Sequence, residues 1–175
     1  SNALFVRFWH EVSCSSIGFS MKDSLQANES GCRWFPYNEG GDYRLWYGNN
    51  EHVVDWQNDG KRIKDYVTEK YPYLNGNIDY VVKDRGKYFL PSITWSSVSS
   101  SYFGVRRSNP GFLFDVGGSS AFPMDGWVNI LMGLMCSKVT DTFIRAINPT
   151  VNFQTGNIAS LPVLESAIEP IKQLV

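Results

Sequence analysis

The sequence predicts an α+β fold, mainly antiparallel β, with a long helix at about 127–147 and short helices at the periphery. Three observations point there. Short runs rich in aromatic and β-branched residues recur through residues 4–116, separated by Gly, Asn and Pro turn signals. The hydrophobic period then becomes helical from Trp127. The 175 residues, 43% hydrophobic and 15% aromatic, hold enough apolar matter for the core of one ordinary domain.

Taken in order, Ser1-Asn2-Ala3 reads as an expression-tag remnant, and residues 4–175 as one domain, expected to be a fragment of a longer chain. Residues 4–12 (LFVRFWHEV) alternate loosely and read as a strand, and residues 13–20 as a loop. Residues 22–29 make a short helix closed by Gly31. Between Arg33 and Asp59 aromatics crowd around Gly40-Gly41 and Gly48-Asn49-Asn50, which predicts short strands and tight turns, HVVDW (52–56) among them. A helix follows over 59–71, with Asp59 as its cap, and Asn75-Gly76 is a turn. Residues 80–82 and 88–90 read as strands around a basic bend at Lys83–Lys87. Residues 93–95, 102–106 and 111–116 read as further strands, with a serine-dense loop at 96–101 and an Asn109-Pro110-Gly111 turn. Apolar residues at 130, 131, 134, 135, 139, 143 and 147 form one helical stripe, stopped by Asn148-Pro149. A short strand at 151–153 and a helix over 164–174 complete the chain.

Charge is nearly balanced, sixteen basic against seventeen acidic side chains, so composition alone does not nominate a nucleic-acid binder. Its distribution is uneven. Residues 4–60 carry four basic groups (Arg7, Lys22, Arg33, Arg44) against eight acidic ones. Residues 83–107 carry Lys83, Arg85, Lys87, Arg106 and Arg107 against Asp84 alone. The three cysteines are odd in number and widely spaced, which fits neither a disulfide framework nor a zinc site and suggests a cytoplasmic setting. No apolar run is long enough to span a membrane.

Catalytic signals are weak. His10 and His52 stand alone, and no carboxylate or cysteine at ligand spacing accompanies them. No nucleophile elbow or Cys-His pair is present, and the serines of 96–101 have no base in view. Asp115-Val116-Gly117-Gly118-Ser119-Ser120 superficially suggests a phosphate loop. It lacks the lysine and glycine spacing such loops need, and Pro123 follows where a helix should start; a strand end and turn is the simpler reading. Tyr43, Arg44, Trp46, Tyr47, Asn49 and Asn50 suit stacking on a base or sugar, although aromatics more often fill a core. Arg85, Lys87, Arg106 and Arg107 form a sharper cluster, because the arginine fork matches both guanine edges and phosphates.

Several blocks together carry a resemblance: Ile17-Gly18-Phe19, WFPYNEGGDYRLWYGNNEHVVDWQNDG (34–60), ITWSSVSS (93–100), FLFDVGGSSAFP (112–123) and INPTVNFQTGNIASLP (147–162). The chain resembles, over nearly all of residues 4–162, the C-terminal specificity region of adenine-specific DNA methyltransferases of restriction-modification type, in particular the PglX-like enzymes of BREX phage defence. The resemblance implies a target-recognition domain that binds double-stranded DNA beside an N-terminal, S-adenosylmethionine-dependent methyltransferase domain of the same parent chain, with other defence-complex subunits as further candidate partners. Such catalytic domains carry an Asn-Pro-Pro-Tyr type motif. The Asn-Pro pairs here, Asn109-Pro110-Gly111 and Asn148-Pro149-Thr150, have neither the second proline nor the aromatic, so this chain is expected to lack catalysis and to need no cofactor of its own. On physical grounds Lys83, Arg85, Lys87, Arg106 and Arg107 are placed at phosphates and base edges, with Trp95, Ser96 and Ser97 shaping the face and Tyr43 and Arg44 beside it. Two alternatives stand: a carbohydrate-binding module using the 34–56 aromatics, and a protein-docking domain using the helix at 127–147 or that at 164–174.

Overall fold

The computed structural model describes every residue except Ser1, Ser101, Asp125 and residues 164–175, so the last expected helix lies outside the described residues. The chain is α+β, and its contacts divide it into two compact units.

Unit 1 comprises Ser1–Asn38, Asn50–Pro91 and Asn109–Asp115. Its sheet runs β1 (Val6–Phe8), β3 (His52–Asp55), β2 (Trp34–Asn38), β6 (Leu113–Phe114). The first two pairings are antiparallel, with Val6 opposite Val54 and Phe35 opposite Val54, and the β2–β6 pairing is parallel. The expected strand at 4–12 shortens because residues Asn2–Phe5 form helix α1 and Glu11 folds back, its carboxylate accepting from the Phe8 amide at 2.7 Å. Helix α2 (Ser24–Glu29) starts where Asp23 accepts from the Gln26 amide at 2.8 Å, and Gly31 follows with φ +64°.

Helix α3 (Gln57–Lys70) corrects the expected cap. Asn58, Asp59 and Gly60 all have positive φ, so regular helix begins after Gly60 and the Asp59 carboxylate pairs with Lys64 instead. Gly60 is required there, since a Cβ would sit 2.5 Å from the Trp56 ring. The strands expected at 80–82 and 88–90 do not form. Short 3-10 turns at Ile78–Tyr80 and Arg85–Lys87 occupy that stretch, because Asn77 caps the first and Asp84 enters the second in the left-handed region. Val82, Tyr88 and Phe89 are nevertheless buried with Phe35, Trp56 and Leu113, and they anchor the loop to the core.

Unit 2 comprises Glu39–Asn49, Ser92–Ser108 and Val116–Val175. Its antiparallel sheet runs β5 (Val105–Ser108), β4 (Ser92–Trp95), β7 (Ser120–Ala121). Side-chain alternation splits the sheet into two unlike faces. Ile93, Trp95 and Val105 enter a core with Phe103, Met132, Met135, Ile144 and Phe153, and the Trp95 indole donates to the Phe153 carbonyl at 2.8 Å. Ser92, Thr94, Ser96, Arg106 and Ser108 form the opposite face and are also buried.

The single helix expected at 127–147 is two, α4 (Val128–Met135) and α5 (Lys138–Ile147). Ser137 is extended and caps α5, its hydroxyl accepting from the Thr140 amide at 3.2 Å, while the Thr140 hydroxyl donates to the Leu134 carbonyl at 2.7 Å. These bonds satisfy one terminal carbonyl of α4 and one initial amide of α5, which lowers the cost of a break where one hydrophobic stripe suggests continuity. The expected strand at 151–153 is only a bridge from Asn152 to Val98, and α6 (Thr155–Ala159), unanticipated, follows it.

Two predictions test this packing. Ser137→Ala removes the cap between α4 and α5 and should cost about 1 kcal/mol in urea unfolding, with Ser137→Asp near neutral. Burial raises the Tyr88 phenol above its ordinary 10.0, because the charged form loses its water. A folded-state pKa raised above the unfolded value gives stability that is full below about pH 10 and declines above it. Tyr88→Phe should therefore narrow the gap between urea midpoints measured near pH 9 and near pH 11.

Candidate nucleic-acid interface

Residues 43–47 are short of regular structure, yet the main chain holds them against the outer edge of β5. Trp46 donates its amide to the Val105 carbonyl at 2.9 Å and accepts from the Arg107 amide at 2.9 Å, a parallel bridge opposite Arg106. The segment thus extends the unit 2 sheet by one position. Gly104 makes this approach possible: a Cβ there would lie 2.7 Å from the Arg44 carbonyl and 2.9 Å from the Tyr43 ring. At its other end Gly41 accepts from the Ser96 hydroxyl at 2.8 Å, and buried Asn49 donates to the Asp42 carbonyl at 2.8 Å.

Backbone is sequestered while side chains are not. Trp46 is 54% exposed and Tyr47 68%, with Tyr43, Arg44 and Arg107 also exposed. Tyr43 packs against exposed Tyr102 with ring centroids 5.9 Å apart, and Arg145 of α5 lies 5.2 Å over the Tyr102 ring while bonded to Asp141 at 2.9 Å. Beside them a cleft of 530 Å³ is lined by Tyr43, Tyr102, Phe103, Lys138 and Asp141, among others. Planar rings interleaved with guanidinium groups can stack on bases and neutralise phosphates together.

The structure sorts the sequence-derived site residues. Tyr43, Arg44 and Arg107 lie on or beside this surface. Ser97 is only partly exposed and donates to the Val116 carbonyl. Three expectations are corrected. Trp95 is fully buried in the unit 2 core, Ser96 is buried against Gly41, and Arg106 is 2% exposed on the polar sheet face with its Nη1 3.4 Å from Ser96 Oγ. Strand alternation is the cause, because neighbouring Arg106 and Arg107 must point to opposite sides. Lys83, Arg85 and Lys87 belong to unit 1, in the loop anchored by Val82 and Tyr88. Lys83 and Lys87 are exposed, and Arg85 donates to Asp79 at 2.7 Å, which offsets part of the basic bend. The 34–56 aromatics divide as well: Trp34, Phe35, Tyr37 and Trp56 are core, and Tyr43, Trp46 and Tyr47 are surface.

Sequence reasoning missed Tyr102, Lys138 and Arg145. No local pattern announces them, since α5 meets the 43–47 segment only through the fold. Gly117-Gly118 lies beside β4. The Gly117 carbonyl accepts from the Ser97 amide and the Gly118 carbonyl from the Ser120 and Thr94 hydroxyls, so the loop serves as an edge partner for β4. Among the described residues no three His, Cys, Asp or Glu side chains converge as metal ligands, and His52 stacks on Phe8 at 4.8 Å. No helix among them is long and apolar enough to cross a membrane.

Comparison with known proteins bears on what this surface serves. No protein-family model matches the chain. It is 34% identical over 177 residues to the adenine-specific methyltransferase PglX of Lacticaseibacillus casei (strain Zhang), a match covering 99% of the chain. It is 31% identical over 166 residues to the adenine-specific methyltransferase BrxX of Escherichia coli O9:H4 (strain HS), covering 93% of the chain. The chain is related to a region of adenine-specific methyltransferases. It spans 14% and 12% of the length of those two proteins, so this methyltransferase-related region corresponds to a small part of either.

Gly104→Ala should destabilise the region by about 1–3 kcal/mol, because the added methyl must displace backbone and not a flexible side-chain tip. A thermal melt compared with the parent sequence measures it.

Proposed function

We propose that this chain is the DNA target-recognition part of an adenine-specific methyltransferase of a phage-defence or restriction-modification system, and that it does not methylate by itself. The observation that carries the reading is the exposed cluster of Tyr43, Arg44, Trp46, Tyr47 and Arg107 fastened to the edge of β5. Methyl transfer, S-adenosylmethionine and the adenine pocket belong, in this reading, to a separate catalytic domain of the parent protein. An adenine inside a duplex must be extruded before it can react, at a cost of a few kcal/mol. A recognition surface that grips the duplex offsets that cost and selects the sequence. Arginines contact phosphates and base edges, and the rings pack against sugars or unstacked bases.

The same rings would also suit a carbohydrate. Arg44 and Arg107 favour nucleic acid, because an exposed guanidinium neutralises a phosphate charge that a neutral sugar lacks. In the cell the partners are double-stranded DNA and the methyltransferase domain of the parent chain, with a cytoplasmic location following from the substrate.

Fluorescence anisotropy with duplex DNA tests the reading. Binding should weaken linearly on a log–log plot between about 50 and 200 mM salt, and Arg44→Gln with Arg107→Gln should shrink the slope by about two. No binding at low salt, or a glycan array positive while DNA stays inert, would overturn it.

A further inference from the structure

Unit 1 holds a second cationic arrangement that the charge map conceals, because Arg33 lies within the most acidic stretch of the sequence. Asp55 on β3 is 1% exposed, and two arginines from different elements converge on one of its oxygens. Arg33 reaches Oδ2 with both Nε and Nη2 at 2.9 Å, and Arg62 of α3 reaches the same oxygen with Nη1. Their contacting nitrogens therefore lie within about 6 Å of one another. The second carboxylate oxygen, Oδ1, is buried without a hydrogen-bond partner, so the site gathers both cations on one side and does not spread them for best neutralisation.

The cations, unlike the carboxylate, are open to solvent: the Arg33 side chain is 44% exposed and that of Arg62 55%. Each guanidinium is also set against a ring, Arg33 at 5.0 Å over Trp34 and Arg62 at 5.8 Å over Phe5. Two long side chains that would otherwise lose much rotamer freedom on binding are thereby ordered in advance. One negative charge between two positive ones leaves a net positive charge, and each guanidinium retains N–H donors not used by Asp55. An approaching anion meets those donors before it meets the sealed carboxylate.

We propose that Arg33 and Arg62, positioned by Asp55, form a phosphodiester-binding clamp for the backbone of duplex DNA. The inference rests on the DNA-recognition reading and adds to it a sequence-independent contact in unit 1. Asp55 is here a positioning residue, and the two arginines are the contacts.

Duplex titrations across the same salt range separate the two ideas. Arg33→Gln and Arg62→Gln should each reduce the salt slope by about one, equally on unrelated duplex sequences, and Arg62→Lys should keep the slope. Removing both arginines strands a buried charge, so the double loss is made as Arg33→Gln/Asp55→Asn/Arg62→Gln, with folding checked by circular dichroism; a reduction of about two is expected. Wild-type binding with slopes unchanged in all these variants overturns the clamp and leaves the unit 2 surface standing. Slopes that fall here and not in the Arg44/Arg107 variant support the clamp and remove the unit 2 surface from the contact. Absence of any duplex binding by the wild type overturns both.

Discussion

Two backbone hydrogen bonds at Trp46 hold the candidate surface of unit 2 together. Residues 43–47 have no helix or strand of their own to orient them, and four of the five side chains face water. Without the bonds to Val105 and Arg107 the segment would have to order itself at the moment of binding, at an entropic cost of order 1–2 kcal/mol per residue. Pinned to β5, it presents rings and guanidinium groups already in place. Gly104 is part of the same constraint, since only a residue without a Cβ lets the Arg44 carbonyl and the Tyr43 ring come so close.

The sheet beneath is unusual in burying both faces with different chemistry. One face is hydrophobic and carries α4 and α5 through Trp95, Val105 and Ile144. The other is lined by serine, threonine and Arg106, and its hydroxyls are hydrogen-bonded, Ser96 to Gly41 and Thr94 to the carbonyls of Gly118 and Ser119. A buried guanidinium is expensive to desolvate and adds little net stability even when well paired. Arg106 is therefore better understood as a fixed interior part of unit 2 than as a reserve of positive charge for a ligand.

Charge counted along the chain misrepresents charge offered to a partner. The most basic stretch, residues 83–107, spends Arg85 on Asp79 and encloses Arg106. The most acidic stretch contributes Arg33, which folding sets beside Arg62 on a single buried carboxylate oxygen. The chain is related to adenine-specific methyltransferases over nearly its whole length and corresponds to only a small part of theirs, so this redistribution of charge bears directly on the proposed recognition role.

Local chemistry alone accounts for the α+β class, for a short helix closed at Gly31, for the turns at Asn75-Gly76 and Asn109-Pro110-Gly111, and for strands around 52–55 and 92–95. Each rests on neighbours within a few residues: a cap, a left-handed position, a run of β-formers. The motif blocks likewise carried the relationship to methyltransferases without coordinates. Long-range packing settled the rest. A hydrophobic stripe over 127–147 is compatible with one helix or two, and the Ser137–Thr140–Leu134 hydrogen bonds chose two. Apolar residues at 80–82 and 88–90 fit strands or anchored turns equally well; the Asn77 cap and the left-handed Asp84 chose turns, and Phe89 is tied by main-chain bonds to Gly111 and Phe112. Most consequentially, whether an arginine faces water or the interior depends on strand register and on what covers each sheet face, properties shared between segments distant in the chain, which is why Arg106 and Arg107, adjacent and chemically identical, have opposite fates.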